Sequence, residues 1–204
     1  MEPGTMYGEG ARALQDQFDS RRLADRLADI TIHDALTDDD ITLVQAQSTV
    51  WIATVDADGW PDVSYKGGDV GFVAVTGPDE LQIPSYDGNG MMRTMGNIAD
   101  TGKVALLFID TAQPWRMRVH GTARVATAPA DLSRFHGAQA LIVVTIGRVF
   151  PNCGRYIHRG GEISPNVPVP GTAAPIPEWK RIRVFADVLP AGDPALESDG
   201  DTSH

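Results

Sequence analysis

The feature that most constrains the fold is a run of short apolar or alternating segments between residues 49 and 150, each bounded by turn-forming residues. The dipeptide Asp58-Gly59 between the first two segments is a strong hairpin signal. The sequence does not alternate strands with long helices, as a doubly wound sheet would. We therefore predict a mainly β protein of the α+β class: a closed or half-closed barrel of six to seven antiparallel strands with peripheral helices. The strand segments are TVWIATVDADGWPDVSYK (49–66, two strands), GFVAV (71–75), ELQIP (80–84), KVALLFID (103–110), WRMRVHGTARVAT (115–127) and ALIVVTIGRVF (140–150).

Two of these segments carry further information. KVALLFID is an almost continuous apolar run, which is typical of a strand buried on both faces. The 115–127 segment is long and alternates between apolar and polar residues, so Gly121 within it is predicted to mark a bulge.

Helices are predicted before, within and after the strands. Residues 9–30 have apolar side chains at helical spacing, which indicates one amphipathic helix or two with a break near Asp19-Ser20. Thr37 precedes three aspartates and is a predicted N-cap for a short helix that ends near Gln47. Further helices are predicted over residues 89–100 and 129–136.

The length of 204 residues suits one domain with a sizeable core. The stretch after Pro151 is rich in proline and glycine, which favours a loop or arm, and the residues after Asp187 are small and acidic, which favours a flexible tail. The predicted organisation is an N-terminal helical extension (1–40), a barrel domain (41–150), a C-terminal arm packing on the barrel (151–186) and an acidic flexible tail (187–204).

Charge and cysteine content narrow the function classes. The net charge of −10 comes from the ends of the chain, because residues 41–184 hold twelve acids and thirteen bases. No broad basic face is available for nucleic acid, and no run of eighteen apolar residues is available for a membrane span. The single cysteine excludes an internal disulfide, so a cytoplasmic protein is expected. The sequence contains no C-x-x-C or H-E-x-x-H motif, and no metal site is predicted.

The stretch YDGNGMMRTMGNI (86–98) has two interpretations. A helix that starts here presents free N–H groups and a partial positive charge, and Arg93 with Thr94 in its first turn would add donors for a phosphate. In the other interpretation, Asp87 or Asn89 caps the helix and Arg93 is solvated. A dinucleotide fingerprint is excluded because Arg93 replaces its third glycine and the sequence lacks a βαβ context.

Other cations lie on predicted strands. Lys66 ends the strand DVSYK and precedes two glycines, where a ligand could approach the backbone closely. Arg116, Arg118 and His120 share one face of the long strand. That face is either exposed to solvent or paired with an anion.

Five segments, in this order, resemble the flavin-binding split-barrel family related to pyridoxamine 5′-phosphate oxidase. The order is a strand ending in lysine, a second strand, a helix with a phosphate-binding arginine, an apolar strand and a strand with a glycine. The resemblance covers about residues 40–160, and VFPNCGRYIHR (149–159) is similar to a signature of one uncharacterised branch. The segments are SYKGG (64–68), GFVAV (71–75), YDGNGMMRTMGNI (86–98), KVALLFID (103–110) and RMRVHGTARV (116–125).

The resemblance implies a homodimer with FMN in each groove between the chains, and an FMN-dependent oxidoreductase acting on a small molecule. Lys66 would meet the flavin ring or ribityl chain, and Arg93 with Thr94 would meet the phosphate. Arg116, where the family often has a glutamine, would face the cofactor; no catalytic residue is assigned. The implied cofactor-binding set is Ser64, Lys66, Asn89, Arg93, Thr94, Asn97, Arg116 and Arg118.

Two positions depart from the family pattern. Pro61 stands where the family has an arginine, and Thr94 stands where a lysine commonly follows the phosphate-binding arginine. Three alternatives to an FMN enzyme therefore stay open. They are an oxidoreductase that uses a deazaflavin, a non-enzymatic carrier of flavin or haem with His120 or His158 as axial ligand, and a dimer without a ligand.

Overall fold

The computed structural model describes residues 6–160 and 175–197. By its contacts the chain divides into two compact units, one formed by Met1–Ile32 with Arg155–His204 and the other by His33–Gly154. The first division falls before the boundary predicted after residue 40, and the second falls beyond the one predicted after residue 150.

The His33–Gly154 unit is built on one seven-stranded sheet in which every pairing is antiparallel. The strand order is β2-β1-β5-β6-β7-β4-β3. The predicted α+β architecture of six to seven antiparallel strands, of the split-barrel type, is confirmed. The strands are β1 (Thr49–Val55), β2 (Pro61–Gly67), β3 (Ala74–Gly77), β4 (Glu80–Ser85), β5 (Lys103–Asp110), β6 (Trp115–Ala126) and β7 (Ala140–Asn152).

The core of this unit lies on one face of the sheet. Phe108 on β5 and Met117 and Val119 on β6 are fully buried there, at the middle of the strand order. Successive side chains of a strand point to opposite faces, so the residues between them project outward. Val104, Leu106 and Phe108 of β5 are buried, whereas Ala105, Leu107 and Ile109 are half-buried. The prediction that this strand is buried on both faces is therefore wrong for the single chain.

Glycine shapes two places in the sheet. The pairing of β6 with β7 shifts register between His120 and Gly121, which confirms the predicted bulge. A Cβ at Gly121 would lie 2.1 Å from the Thr145 carbonyl oxygen, so no larger residue fits. Gly71 has a φ of 79° in a turn, and β3 consequently begins at Ala74 instead of at Gly71.

Three helices accompany the sheet: α3 (Asp38–Ala46), α4 (Arg93–Thr101) and α5 (Pro129–Leu132). The predicted cap at Thr37 is confirmed, because its hydroxyl accepts a bond from the Asp40 N–H and its own N–H donates to the Asp40 carboxylate. Helix α5 ends at Leu132, whereas the sequence predicted an end at residue 136.

Helix α4 begins later than predicted. The Asn89 side chain accepts a 3.0 Å hydrogen bond from the Met91 N–H, which closes a turn ahead of the helix. Met92 has a left-handed backbone with a φ of 51°, so the helical conformation starts only at Arg93. Asn89 is thus a loop residue and does not cap α4.

The other unit contains α1 (Glu9–Gln17) and α2 (Arg21–Thr31), which confirms the two-helix interpretation of residues 9–30. The break coincides with Asp19, whose φ is 50°. After the undescribed residues 161–174 come a 3₁₀ turn (Glu178–Arg181), α6 (Arg183–Ala186) and α7 (Pro194–Glu197).

Residues 187–197, the first part of the predicted tail, include α7 and buried apolar side chains. Val188 and Leu189 are buried with Leu23 and Phe185 in a small apolar cluster of this unit. The Arg26 guanidinium also lies 3.2 Å from the Asp187 carboxylate. The rest of the predicted tail, residues 198–204, lies outside the described part of the chain.

Candidate functional site

The N terminus of α4 opens into a cavity of about 310 Å³, which we call the α4 cavity. Its volume is at the lower end of the roughly 300–1,000 Å³ found for small-molecule sites. Its wall comes from β2, the end of β4, the loop that follows β4, and the first turn of α4. The lining residues are Asp62, Val63, Ser64, Lys66, Ser85, Tyr86, Gly88, Asn89, Gly90, Met91, Met92, Arg93, Thr94 and Met95.

The helix end itself is a ready donor of hydrogen bonds. The first N–H groups of any α-helix lack partners within the helix and carry a partial positive charge. In α4 no side chain caps them. The α4 terminus is therefore suited to an anion, provided that side chains of the cavity cooperate.

Thr94 provides a hydroxyl group beside the α4 terminus. Only 6% of this residue is exposed, and among the described residues its hydroxyl has no hydrogen-bond partner. Ser85, at the end of β4, is also 6% exposed, and its hydroxyl likewise has no partner within the described ranges. Both residues line the cavity and neither hydroxyl oxygen is fully buried, so each hydroxyl is free to donate a hydrogen bond to a ligand or to accept one from it.

Arg93 is the first residue of α4 and lies between two carboxylates. Its Nη2 is 3.8 Å from Asp56 Oδ2, and its Nε is 3.8 Å from Asp62 Oδ2. Both distances exceed those of a hydrogen bond, so the guanidinium keeps its donors available. About half of the Arg93 side chain is exposed.

Lys66 extends the positive charge along the same wall. Burial lowers the pKa of its ammonium group, and the nearby Asp62 carboxylate partly opposes that shift. Asp62, Ser64 and Lys66 share one face of β2, because side chains two apart on a strand point the same way. The structure thus brings five of the residues predicted to bind the cofactor into one cavity: Ser64, Lys66, Asn89, Arg93 and Thr94.

The other three predicted residues lie elsewhere, and their contact with a cofactor stays a prediction. Asn97 is buried in α4, where its amide donates a 2.9 Å hydrogen bond to the Thr54 hydroxyl. Arg116 donates a 2.8 Å bond to the Asn152 side chain, and its buried Nε has no partner among the described residues. Arg118 lies beside Arg116 on the outer face of β6.

The outer face of β6 is electropositive. Burial lowers the pKa of Arg118, and the charge of Arg116 lowers it further. Burial also lowers the pKa of His120, and Arg148 and Arg118 add to the shift. His120 is paired with Arg148 across the β6–β7 ladder and stacks edge-on against Phe150. A neutral imidazole is therefore favoured at this position.

Sequence reasoning missed two groups of cavity residues. Asp62 and Ser85 carry the polar groups, and the period-2 pattern of β2 is the signal that would have placed Asp62 beside Lys66. Met91, Met92 and Met95 form an apolar and adaptable part of the wall. Tyr86 adds an aromatic ring to the wall of the same cavity.

The sequence model of the pyridoxamine 5′-phosphate oxidase family matches residues 36–153, which is more than half of the chain. The chain belongs to the pyridoxamine 5′-phosphate oxidase family. The match contains the whole sheet and α4, so the α4 cavity lies within the family domain. No protein of curated function matches the chain in sequence.

Several solved structures are similar to this chain, and their names refer to different activities or ligands. A putative pyridoxamine 5′-phosphate oxidase from Lactobacillus delbrueckii is 29% identical, with a TM-score of 0.49 over 59% of this chain and 99% of that one. An FMN-binding protein from Syntrophomonas wolfei is 14% identical, with a TM-score of 0.42 over 71% and 96%. The haem storage protein HutZ from Vibrio cholerae is 17% identical, with a TM-score of 0.41 over 57% and 94%.

Two kinds of feature are absent from the described residues, a membrane-spanning helix and a metal-binding cluster. None of the described helices is both long and apolar enough to cross a membrane. Residues 6–160 and 175–197 also hold no cluster of histidine, cysteine or carboxylate side chains that could bind a metal ion.

Proposed function

We propose that this chain binds FMN in the α4 cavity and acts as an FMN-dependent oxidoreductase on a small molecule. One observation carries the proposal. The Thr94 hydroxyl, which lines the cavity and has no partner among the described residues, lies next to Arg93 at an uncapped helix terminus in a member of this family. A phosphate would satisfy the hydroxyl, the helix N–H groups and the guanidinium together.

The remaining cavity residues suit the rest of the cofactor. Lys66 and Ser64 provide a cation and a hydroxyl on the β2 wall, and Asn89 adds an amide from the loop. Tyr86 and the three methionines offer surfaces on which an aromatic ring system can pack. When bound, FMN supplies the transfer of electrons or hydride, and the chain binds it, orients it and limits the access of water.

A homodimer is part of the proposal. In the middle of β1 and β5 the outer side chains are apolar but only half-buried, and Trp51 and Ala53 stand opposite Leu107 and Ala105. An apolar sheet face of this kind is typical of an interface. A second copy would bury it, together with Arg116 and Arg118 on the neighbouring strand.

A deazaflavin is the second candidate cofactor. The proposed phosphate site has Pro61 and Thr94 at the two positions where the family carries additional cations, and two carboxylates flank Arg93. A phosphodiester carries one negative charge, whereas a phosphate monoester such as that of FMN carries about 1.5–2 at pH 7. A site with weak net positive charge is suited to the former.

The test is the visible absorption spectrum of the protein as purified, followed by titration with FMN. A flavin spectrum that is released on denaturation, or saturable FMN binding, is the expected result. A deazaflavin spectrum or a Soret band would replace FMN with the corresponding cofactor. A colourless protein that does not bind added FMN would contradict the proposal.

A further inference from the structure

Asp62 places a negatively charged side chain in the cavity that we propose as a phosphate site. Its side chain lines the α4 cavity, and its Oδ2 lies 3.8 Å from Arg93 Nε. It also lies close enough to Lys66 for its charge to act on the ammonium group. A carboxylate therefore stands beside both cations of the proposed phosphate site.

Asp56 differs from Asp62 in how it is held. Asp56 Oδ1 accepts hydrogen bonds from the N–H groups of Asp58 and Trp60, at 3.1 and 2.9 Å, within the turn between β1 and β2. Its other oxygen, Oδ2, lies 3.8 Å from Arg93 Nη2. The hairpin turn thus holds the Asp56 carboxylate in place as a counter-charge near the Arg93 guanidinium.

The Asp62 carboxylate, in contrast, makes no hydrogen bond within the part of the chain that the structure describes. Asp56 already offsets the charge of Arg93, so Asp62 brings a second negative charge to the same guanidinium. Two carboxylates then face two cations, Arg93 and Lys66, and the formal charge of the four groups is zero. The four groups together therefore exert no net charge on a phosphate, although Arg93 can still donate hydrogen bonds to it.

We propose that Asp62 is a resident counter-anion of the α4 cavity that competes with the ligand phosphate and sets the cavity's preference for ligands of low negative charge. The inference rests on the proposed function and identifies the residue that determines specificity at that site. Asp62 acts through Arg93 and Lys66 rather than by touching the reacting atoms, so it is a positioning residue. A dianionic phosphate that binds at these cations is repelled by the neighbouring Asp62 charge, whereas a neutral ligand is not.

The experiment compares the affinities of FMN and riboflavin, which share the ring system and differ in the phosphate. Asp62→Asn removes the charge and keeps the shape of the side chain. We expect it to raise the affinity for FMN about three- to fivefold and to change that for riboflavin less than about twofold, because a partly exposed ion pair contributes at most about 1 kcal/mol. Asp58→Asn, in the same hairpin but without contact to Arg93, is the control for net charge and leaves both affinities unchanged.

Each outcome decides the inference. An equal rise for FMN and riboflavin, or no rise for FMN while the wild type binds FMN through Arg93, overturns the role of Asp62 and leaves the proposed function intact. Absence of FMN binding in both the wild type and Asp62→Asn overturns both. If Asp62→Asn does not fold, Asp62→Ala is titrated in its place, with circular dichroism and thermal melting as the check on folding.

Discussion

The Asn97 side-chain amide donates a 2.9 Å hydrogen bond to the Thr54 hydroxyl, and this buried pair joins α4 to β1. A second bond, from the Thr101 hydroxyl to the Val55 carbonyl oxygen at 2.9 Å, fixes the end of the same helix to the same strand. Helix α4 is thereby held along its length, and its N terminus is aimed at the cavity. The site depends on this attachment, because a helix terminus acts on an anion only at close range.

Removal of the Asn97 amide should weaken the fold. Asn97 and Thr54 are 5% and 2% exposed, so Asn97→Ala leaves a buried hydroxyl without its donor. We expect a loss of about 1–3 kcal/mol in the free energy of unfolding, measured by urea denaturation. The double variant with Thr54→Val should lose less than the sum of the two single variants. Additive losses would show that the two side chains do not interact in solution.

Arg93→Ala should lower the affinity for FMN. The guanidinium is the main charged donor at the proposed phosphate site, and a charge-assisted hydrogen bond contributes about 1.5–3 kcal/mol, or roughly ten- to a hundredfold in the dissociation constant. Fluorescence titration with FMN provides the measurement. Arg124→Ala, at an exposed position on β6, is the matched control. An unchanged dissociation constant for Arg93→Ala would remove this residue from the phosphate site.

Thr94→Val should separate binding from stability. The Thr94 hydroxyl has no partner among the described residues, so its replacement by a methyl group of similar size should keep or raise the melting temperature. The same change should weaken FMN binding about fivefold, because one hydrogen bond to the phosphate is lost. Thr94→Ser retains the hydroxyl and is expected to bind FMN as the wild type does. A marked fall in melting temperature for Thr94→Val would mean that the hydroxyl is bonded within the protein.

Leu107→Lys should disrupt the proposed homodimer. Leu107 is half-buried on the outer face of β5, opposite Trp51 on one side and Arg118 on the other. A lysine there adds a charge to an apolar interface and faces the like charge of Arg118. Multi-angle light scattering should give twice the chain mass for the wild type and the mass of one chain for the variant. Leu14→Lys, an exposed change on α1, should stay dimeric. A monomeric wild type would refute the dimer.

His120 should make the stability depend on pH. Burial, followed by Arg148 and Arg118, lowers its pKa in the folded protein, so the unfolded chain binds the proton more tightly. The contribution of the neutral imidazole is therefore fully present above about pH 6.5, the unperturbed value, and is lost as the pH falls through the lowered pKa. His120→Gln should flatten this fall in urea unfolding measured from pH 7 to 5. His136→Gln, at an exposed position, should keep the wild-type profile. Identical slopes for the wild type and His120→Gln would exclude the effect.

Short-range signals in the sequence were sufficient for most of the architecture. The Thr37 cap, the Asp58-Gly59 hairpin and the Gly121 bulge each follow from a few adjacent residues, and the structure confirms all three. The order of the strand segments was sufficient to recognise the family that the sequence model also matches. The sequence also identified three candidate cofactor ligands that share one cavity in the structure: Lys66, Arg93 and Thr94.

Only the tertiary structure decided which side chains meet. The sequence alone placed Arg93 in the first turn of a helix predicted from residue 89, but did not show that Asp56 and Asp62 of the β1–β2 hairpin lie 3.8 Å from it. It predicted an apolar β5, but not that only one face is buried within the chain. Local patterns reflect the conformational preferences of neighbouring residues, whereas the contacts of a site depend on strand register and on the docking of α4, which join residues far apart in sequence.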